Sequence, residues 1–243
     1  MKKTAIILAA GKGKRMKSEL PKVLHKIHNR PMVEYVIDNA RTAGYDKQIL
    51  VIGHKYQQVM ETLKGKDVEF AVQEEQLGTG HAVSCTRDKF DSFSGEVLVL
   101  AGDMPLISPE TIKKLSDYHQ KIGAAATVLS VNLPDPTGYG RIVRDENGSF
   151  LEIVEHRDAG PQQLEIKEVN TGIICFDCLK LFSVLEKIDC DNDQEEYYLT
   201  DSIGIFVREN EKVAAIPADD YREGMGINSV EQLKEVEALM SSV

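Results

Sequence analysis

The sequence predicts an α/β fold: a mostly parallel central sheet with helices on both faces, joined in its second half by an antiparallel excursion. Three observations carry this. Short apolar runs rich in β-branched residues alternate with stretches of helical spacing through the first half of the chain. The connections are short, so successive strands run parallel and their crossover helices cover both faces. Past residue 131 the alternation breaks, and two strand-like runs flank Asp145-Glu146-Asn147-Gly148, a hairpin signal.

Each element follows from its residues. Thr4–Ala9 is a continuous apolar run and reads as a buried first strand. Met32–Ala43 places Val33, Val36, Ile37 and Ala40 on one helical face. Gln48–Ile52, Val68–Gln73 and Glu96–Ala101 read as further strands, with helices Tyr56–Leu63 and Thr79–Lys89 between them. Ser108-Pro109-Glu110 is a helix start. The hydroxyl caps, proline gives up an N–H that has no partner there, and the acid sits at the positive end. The helix Ser108–Lys121 then leads into strand Ala124–Val131. Gly140–Arg144 and Phe150–Glu155 pair as the hairpin, and polar His156–Glu168, containing Gly160-Pro161, reads as a mobile loop. Val169–Phe176 is a strand, Leu179–Glu186 and Tyr197–Arg208 are helices, Lys212–Ile216 is a short strand and Ser229–Met240 closes as a helix.

Composition excludes several functions. No apolar run approaches the ~18 residues a membrane span needs. Met1-Lys2-Lys3-Thr4 resembles the start of a secretory leader, but Ala5–Ala10 is shorter than the roughly 7–15 residues of a leader core. Cys175 and Cys178 form a lone C-x-x-C with no second ligand pair for zinc, so they read as reduced thiols at a strand–helix junction in a cytoplasmic protein. A calcium loop from Asp189 fails because Gln194 stands where glycine is needed; the acidic run to Glu196 reads as a solvated loop. The 243 residues carry 29 basic and 39 acidic side chains, net -10, which argues against nucleic-acid or anionic-membrane partners. The charge is uneven. Residues 1–30 hold nine basic side chains and only Glu19 as an acid, so the amino end is strongly positive on a negative body.

That basic end contains a loop, Leu8-Ala9-Ala10-Gly11-Lys12-Gly13-Lys14-Arg15-Met16, with Lys22 after Pro21. Glycines after a strand let backbone N–H groups converge on an anion, and ligands of parallel sheets bind at the carboxyl ends of strands. A dinucleotide fingerprint fails at Met16, where a third glycine is required. A Walker A loop fails for want of Gly-Lys-Ser/Thr, and a kinase loop for want of its downstream motifs. This is a phosphate loop of another kind, charged chiefly through Arg15 and Lys22.

Leu-Ala-Ala-Gly-x-Gly-x-Arg-Met with Leu20-Pro21-Lys22 resembles the signature of the sugar nucleotidyltransferases. Gln73, Gln76-Leu77-Gly78-Thr79-Gly80-His81-Ala82 and Gly102-Asp103-Met104-Pro105-Leu106 follow in that family's order. So do Gly138-Tyr139-Gly140-Arg141-Ile142, Glu155, Asn170-Thr171-Gly172, Glu196-Tyr197-Tyr198-Leu199-Thr200-Asp201 and Asn228. The spacing from Arg15 to Lys22 is similar to the N-acetylglucosamine-1-phosphate uridyltransferase type. The resemblance implies a Rossmann-like nucleotide-diphospho-sugar transferase fold in one domain, 1–243. Its nucleotide part is 1–130, its sugar part 131–228 and its closing helix 229–243. It implies formation of UDP-N-acetylglucosamine and pyrophosphate from UTP and N-acetylglucosamine 1-phosphate, a step toward peptidoglycan and the cell wall. That type's second half, a β-helix acetyltransferase, has no counterpart in the chain, so no acetyl transfer is expected.

By the same resemblance, Arg15 and Lys22 are catalytic. Leu8, Ala10, Gly11, Gly13, Gln73, Gln76, Gly78 and Thr79 bind the nucleotide, and Gly140, Glu155, Asn170 and Thr200 the sugar. Asp103 and Asn228 hold Mg²⁺. Read alone, Asp103 before Met104-Pro105 is also a turn-former and Asn170-Thr171-Gly172 also a bulge. Tyr197 and Tyr198 read as packing, and His25, His28 and His81 as structural. Ala101 stands where the family often has tyrosine, which keeps another sugar 1-phosphate, such as glucose 1-phosphate, in play. A catalytically idle nucleotide sensor and a homo-oligomer also stay open.

Overall fold

The computed structural model describes residues 1–90, 92, 94–192 and 194–241, without the side chain of Lys14. In order its elements are β1 (Lys3–Ala9), β2 (Lys26–Ile27), β3 (Arg30–Pro31), α1 (Met32–Thr42), β4 (Lys47–Ile52), α2 (Tyr56–Thr62), β5 (Glu69–Val72), α3 (Thr79–Ser84) and β6 (Glu96–Ala101). Then come α4 (Pro109–Ile122), β7 (Ala126–Asn132), β8 (Arg141–Arg144), β9 (Phe150–Val154), α5 (Pro161–Leu164), β10 (Glu168–Asp177), α6 (Cys178–Leu185), α7 (Asp201–Arg208), β11 (Val213–Pro217) and α8 (Val230–Met240).

A nine-stranded sheet runs β11-β7-β10-β6-β1-β4-β5, with the β8–β9 hairpin attached through β10. The β6-β1-β4-β5 half is parallel, β11 is parallel to β7, and β10 runs antiparallel to both β6 and β7. The alternation of β1 explains the layering. Ala5, Ile7 and Ala9 point toward Val33, Val36, Ile37 and Ala40 of α1 and Ile112 and Leu115 of α4. Ile6 points the other way, toward Leu181 and Phe182 of α6 and Ile203 and Phe206 of α7. Burial of each large apolar side chain contributes about 1.5–3 kcal/mol. The register places Leu8 beside both Val51 and Ala101, so the loop after β1 emerges next to the turn after β6.

The Ser108 cap is as expected: its hydroxyl accepts from the Thr111 N–H at 3.1 Å, and Gly123 ends α4 at φ +59°. Three readings of the sequence need correction, and one element is new. Tyr197–Arg208 is helical only from Asp201, because the N–H and C=O of Tyr197 bond Leu77 and Gly80 instead. The Thr79–Lys89 helix stops at Ser84 and resumes as a 3-10 turn, Arg87–Lys89. The polar run His156–Glu168 contains a helical turn, α5, started by Pro161 and closed by Gln163 bonding the Gly160 N–H. The β2–β3 ribbon was not foreseen; its strands are two residues each, too short for a periodic signal.

Cys175 and Cys178 are buried free thiols at the β10–α6 junction. Burial pushes the Cys178 thiol up to about 11 and the Cys175 thiol well above its ordinary value, which makes both poor nucleophiles. Among the described residues, no helix is long and apolar enough to cross a membrane.

Candidate active site

Three side chains meet where β1 and β6 end. Lys22 Nζ donates to Asp103 Oδ2 and, at 3.0 Å, to Asn228 Oδ1, joining positions 81 and 206 residues away in sequence. Each is held from behind. Lys22 opens a 3-10 turn whose Val23 and Leu24 are buried. Asp103 follows Gly102, whose N–H bonds the Leu8 carbonyl at 2.9 Å; a Cβ on Gly102 would stand 3.1 Å from that same oxygen. Asn228 is brought in by the Ile227 N–H, which donates to the Asp103 carbonyl at 2.9 Å. The side chains of Lys22 and Asp103 are 17% and 13% exposed, so the corner is reachable yet largely shielded.

The glycine-rich loop after β1 lies against this corner. Gly13 has φ +58°, and a Cβ on it would sit 2.7 Å from Lys22 Cβ, so loop and lysine are in direct contact. Met16 is 2% exposed and its N–H bonds the Gly13 carbonyl at 2.9 Å, which explains an apolar residue where a dinucleotide loop keeps glycine. Arg15 is exposed on the short 3-10 turn Lys14–Met16, and Gly11 and Lys12 are exposed beside it. The side chain of Lys14 lies outside the described residues.

The Asp103–Asn228 pair fits a magnesium ion. Its donors are a carboxylate and an amide oxygen, hard ligands that already share one cation, the Lys22 ammonium. Among the described residues no group of three or more His, Cys, Asp or Glu could hold a metal. A two-oxygen site suits Mg²⁺, which keeps water and takes substrate phosphates as its remaining ligands.

The residues expected to take the nucleotide form a second wall. Ala10, Gln73 and Gln76 converge on Gly53, where a Cβ would meet each of them at 2.9 Å. Gln73, 3% exposed, donates to the Gly78 carbonyl at 3.0 Å and meets His81 Nδ1 at 3.2 Å, so it braces the loop that carries Gly78. Gln76 Nε2 bonds the carbonyls of Gln73 and Glu74 at 3.1 and 3.2 Å. Thr79 Oγ1 accepts from the Leu199 N–H at 2.9 Å. Leu8, at the end of β1, is partly buried against the α6–α7 face. Sequence reasoning missed Gly53; the available signal was a glycine just past an apolar strand, as with Gly11.

Of the residues expected to take the sugar, Glu155 and Thr200 line one cavity, and Gly140 and Asn170 stand behind Glu155. The Asn170 N–H donates to the Gly140 carbonyl at 2.9 Å, and a Cβ on Gly140 would lie 3.3 Å from Glu155 Oε1. Asn170-Thr171-Gly172 is indeed a bulge in β10: Gly172 has φ +79° and its N–H bonds Asn170 Oδ1 at 2.9 Å. A cavity of about 610 Å³ opens here, lined by Glu155, Thr200, Tyr198 and Asn192 among others. Tyr198 therefore faces open space, whereas Tyr197 clamps Gly78 and Gly80 through its backbone. His25 and His28 bond the Lys22 carbonyl and Ser241, away from the cavity. In the acidic run 189–196, Asp193 lies outside the described residues.

Burial, then the charges of Asp158 and Asp201, push the Glu155 carboxyl above its ordinary 4.5. The folded protein holds that proton more tightly than the unfolded chain. Stability therefore falls as pH rises from 4.5 through the raised value. Glu155→Gln carries no such charge, so it is expected to melt above the parent near pH ~7, with the gap closing near pH ~4. Thermal melts across that range check the sign.

A family model described as the MobA-like NTP transferase domain matches residues 5–160, from β1 past the β8–β9 hairpin. Over 236 residues the chain is 49% identical to the "Bifunctional protein GlmU" of Shouchella clausii, covering 97% of this chain and 52% of that protein. Over 240 residues it is 46% identical to the protein of the same name from Lactobacillus delbrueckii subsp. bulgaricus, covering 99% of this chain and 52% of that one. The chain thus spans about half the length of the curated relatives it matches. A solved UDP-glucose pyrophosphorylase complexed with UDP-glucose superposes with a TM-score of 0.77, over 100% of this chain and 99% of that chain. At 18% identity this likeness shows a shared fold.

Proposed function

The chain belongs to the MobA-like NTP transferase domain family, and on that premise we propose that it joins UTP to N-acetylglucosamine 1-phosphate. The products are UDP-N-acetylglucosamine, a cell-wall precursor, and pyrophosphate. The observation that supports this best is Lys22, held on both Asp103 and Asn228 beneath a glycine-rich loop at the carboxyl ends of β1 and β6.

The chemistry asks for few groups. A sugar-phosphate oxygen forms a bond to the α-phosphorus while the α–β bridging bond breaks and pyrophosphate leaves. The nucleophile is already anionic near neutral pH, so no side-chain base is needed. The task is to hold two polyanions in line. At 4 Å two unit charges repel by about 4 kcal/mol at an effective dielectric of ~20. Lys22 is assigned to the α-phosphate and its developing charge, and Arg15 to the departing β- and γ-phosphates. Asp103 and Asn228 would hold Mg²⁺, which neutralises phosphate charge when bound. Ala10, Gln76 and Gly78 line the uracil and ribose side, where a glutamine amide matches uracil's donor and acceptor edge. Gln73 and Thr79 set that wall. Gly140, Glu155, Asn170 and Thr200 take the sugar.

A pyrophosphate-release assay across UTP, CTP, GTP, ATP and dTTP with a panel of sugar 1-phosphates tests this. UTP with N-acetylglucosamine 1-phosphate is expected to give the highest kcat/KM, abolished by EDTA and restored by Mg²⁺. A higher kcat/KM with glucose 1-phosphate would reassign the sugar. Absence of turnover with every pair in a folded sample would leave an idle sensor.

A further inference from the structure

Asp103 and Asn228 reach the corner on separate segments, and Glu223 ties those segments together. Its Oε2 accepts from the Ser108 N–H and the Ser108 hydroxyl, both at 2.9 Å, and its Oε1 accepts from the Thr111 hydroxyl at 2.9 Å. Ser108 and Thr111 form the first turn of α4, whose positive end favours the carboxylate. Ser108 is five residues past Asp103, and Asn228 is five residues past Glu223. The Ile227 N–H closes the ring on the Asp103 carbonyl at 2.9 Å. Little slack remains between these ties. A Cβ on Gly224 would meet Val131 Cγ2 at 2.9 Å, and Ile227 is fully buried with Ile27, Met32 and Val236. On the far side, Gln232 Oε1 accepts from the Asn228 N–H at 2.8 Å.

We propose that Glu223 is a positioning residue that sets the separation of the Asp103 and Asn228 oxygens and so tunes divalent-cation affinity. This rests on the metal reading of that pair. Glu223 touches neither substrate nor ion; it acts through the two segments. Outer partners of metal ligands commonly govern affinity by about 10–100-fold.

The test uses the whole chain with Mn²⁺ as probe, read as free Mn²⁺ by electron paramagnetic resonance. Glu223→Ala is expected to weaken Mn²⁺ binding by about 10-fold or more, with the KM for UTP at saturating metal unchanged. Glu223→Gln keeps an acceptor for Ser108 and is expected to recover most of the affinity. If Glu223→Ala does not fold, Thr111→Val removes one of the three bonds at similar volume, for an expected loss of about fivefold. A purely structural Glu223 would lower the melting temperature of these variants while leaving Mn²⁺ affinity at the parental value; that result overturns the proposal. Asp103→Asn separates the two failures. If the parent and Asp103→Asn bind Mn²⁺ equally, the metal reading falls, and the role of Glu223 falls with it.

Discussion

Lys22→Ala is expected to lower kcat by about 10²–10³-fold while leaving the circular dichroism spectrum unchanged. The lysine is the one cation bonded to both Asp103 and Asn228 among the described residues, and Gly13 of the phosphate loop lies against its stem. Removing it takes a positive charge from the point proposed for the α-phosphate, so the loss belongs in kcat as well as kcat/KM. The fold should survive because Val23 and Leu24, not the ammonium, anchor that turn. Lys22→Arg is expected to recover only part of the rate. A planar guanidinium cannot replace a compact ammonium between a carboxylate and an amide. Steady-state kinetics at saturating substrates check both variants.

Gly78→Ala is expected to destabilise the protein by roughly 2–5 kcal/mol and to raise KM for both substrates. Gly78 has φ +106°, and an added Cβ would stand 2.5 Å from the Tyr197 carbonyl oxygen and 2.8 Å from its nitrogen. Those atoms are backbone and cannot rotate aside. To relieve the clash, the 197–200 segment must leave the loop. It would break the Gly80-to-Tyr197 bond at 2.7 Å and the Leu199-to-Thr79 bond at 2.9 Å. That joint connects the wall proposed for uracil to Tyr198 and Thr200 in the cavity proposed for the sugar. At roughly 2–4 °C per kcal/mol for a chain of this size, calorimetry should show a drop of about 4–20 °C. A fall in melting temperature without a change in either KM would mean that the joint is structural only.

Much of the fold was legible because burial leaves a periodic trace. β1, β4 and β6 are buried on both faces and read as continuous apolar runs, and α1 carries its apolar face at Val33, Val36, Ile37 and Ala40. Tyr197–Thr200 misled because Leu199 and Ile203 keep helical spacing, yet the backbone of Tyr197 bonds Leu77 and Gly80, more than a hundred residues earlier, and the helix begins only at Asp201. Such a contact depends on the absence of side chains at Gly78 and Gly80, and no local pattern records it.

The site divides in the same way. The loop pattern of Gly11, Gly13 and Arg15 is local, so its expected phosphate chemistry could be read from adjacent residues. Lys22, Asp103 and Asn228 could be grouped only through the resemblance, because what unites them is the order of strands in the sheet. Glu223 was invisible at both levels. Its position follows from where α4 begins in space, and an acid in Tyr221-Arg222-Glu223-Gly224 has no periodic meaning.

In the proposed reaction, attack occurs at the α-phosphorus of UTP in the corner formed by Lys22, Asp103 and Asn228. Parallel reactions with [α-³²P]UTP and [γ-³²P]UTP, each with N-acetylglucosamine 1-phosphate and Mg²⁺, follow the two ends of the triphosphate separately. All α label should move into the nucleotide sugar and all γ label into pyrophosphate, in equal amounts, with both transfers lost in Asp103→Asn. Transfer of γ label to the sugar, or label movement unaffected by Asp103→Asn, would contradict it.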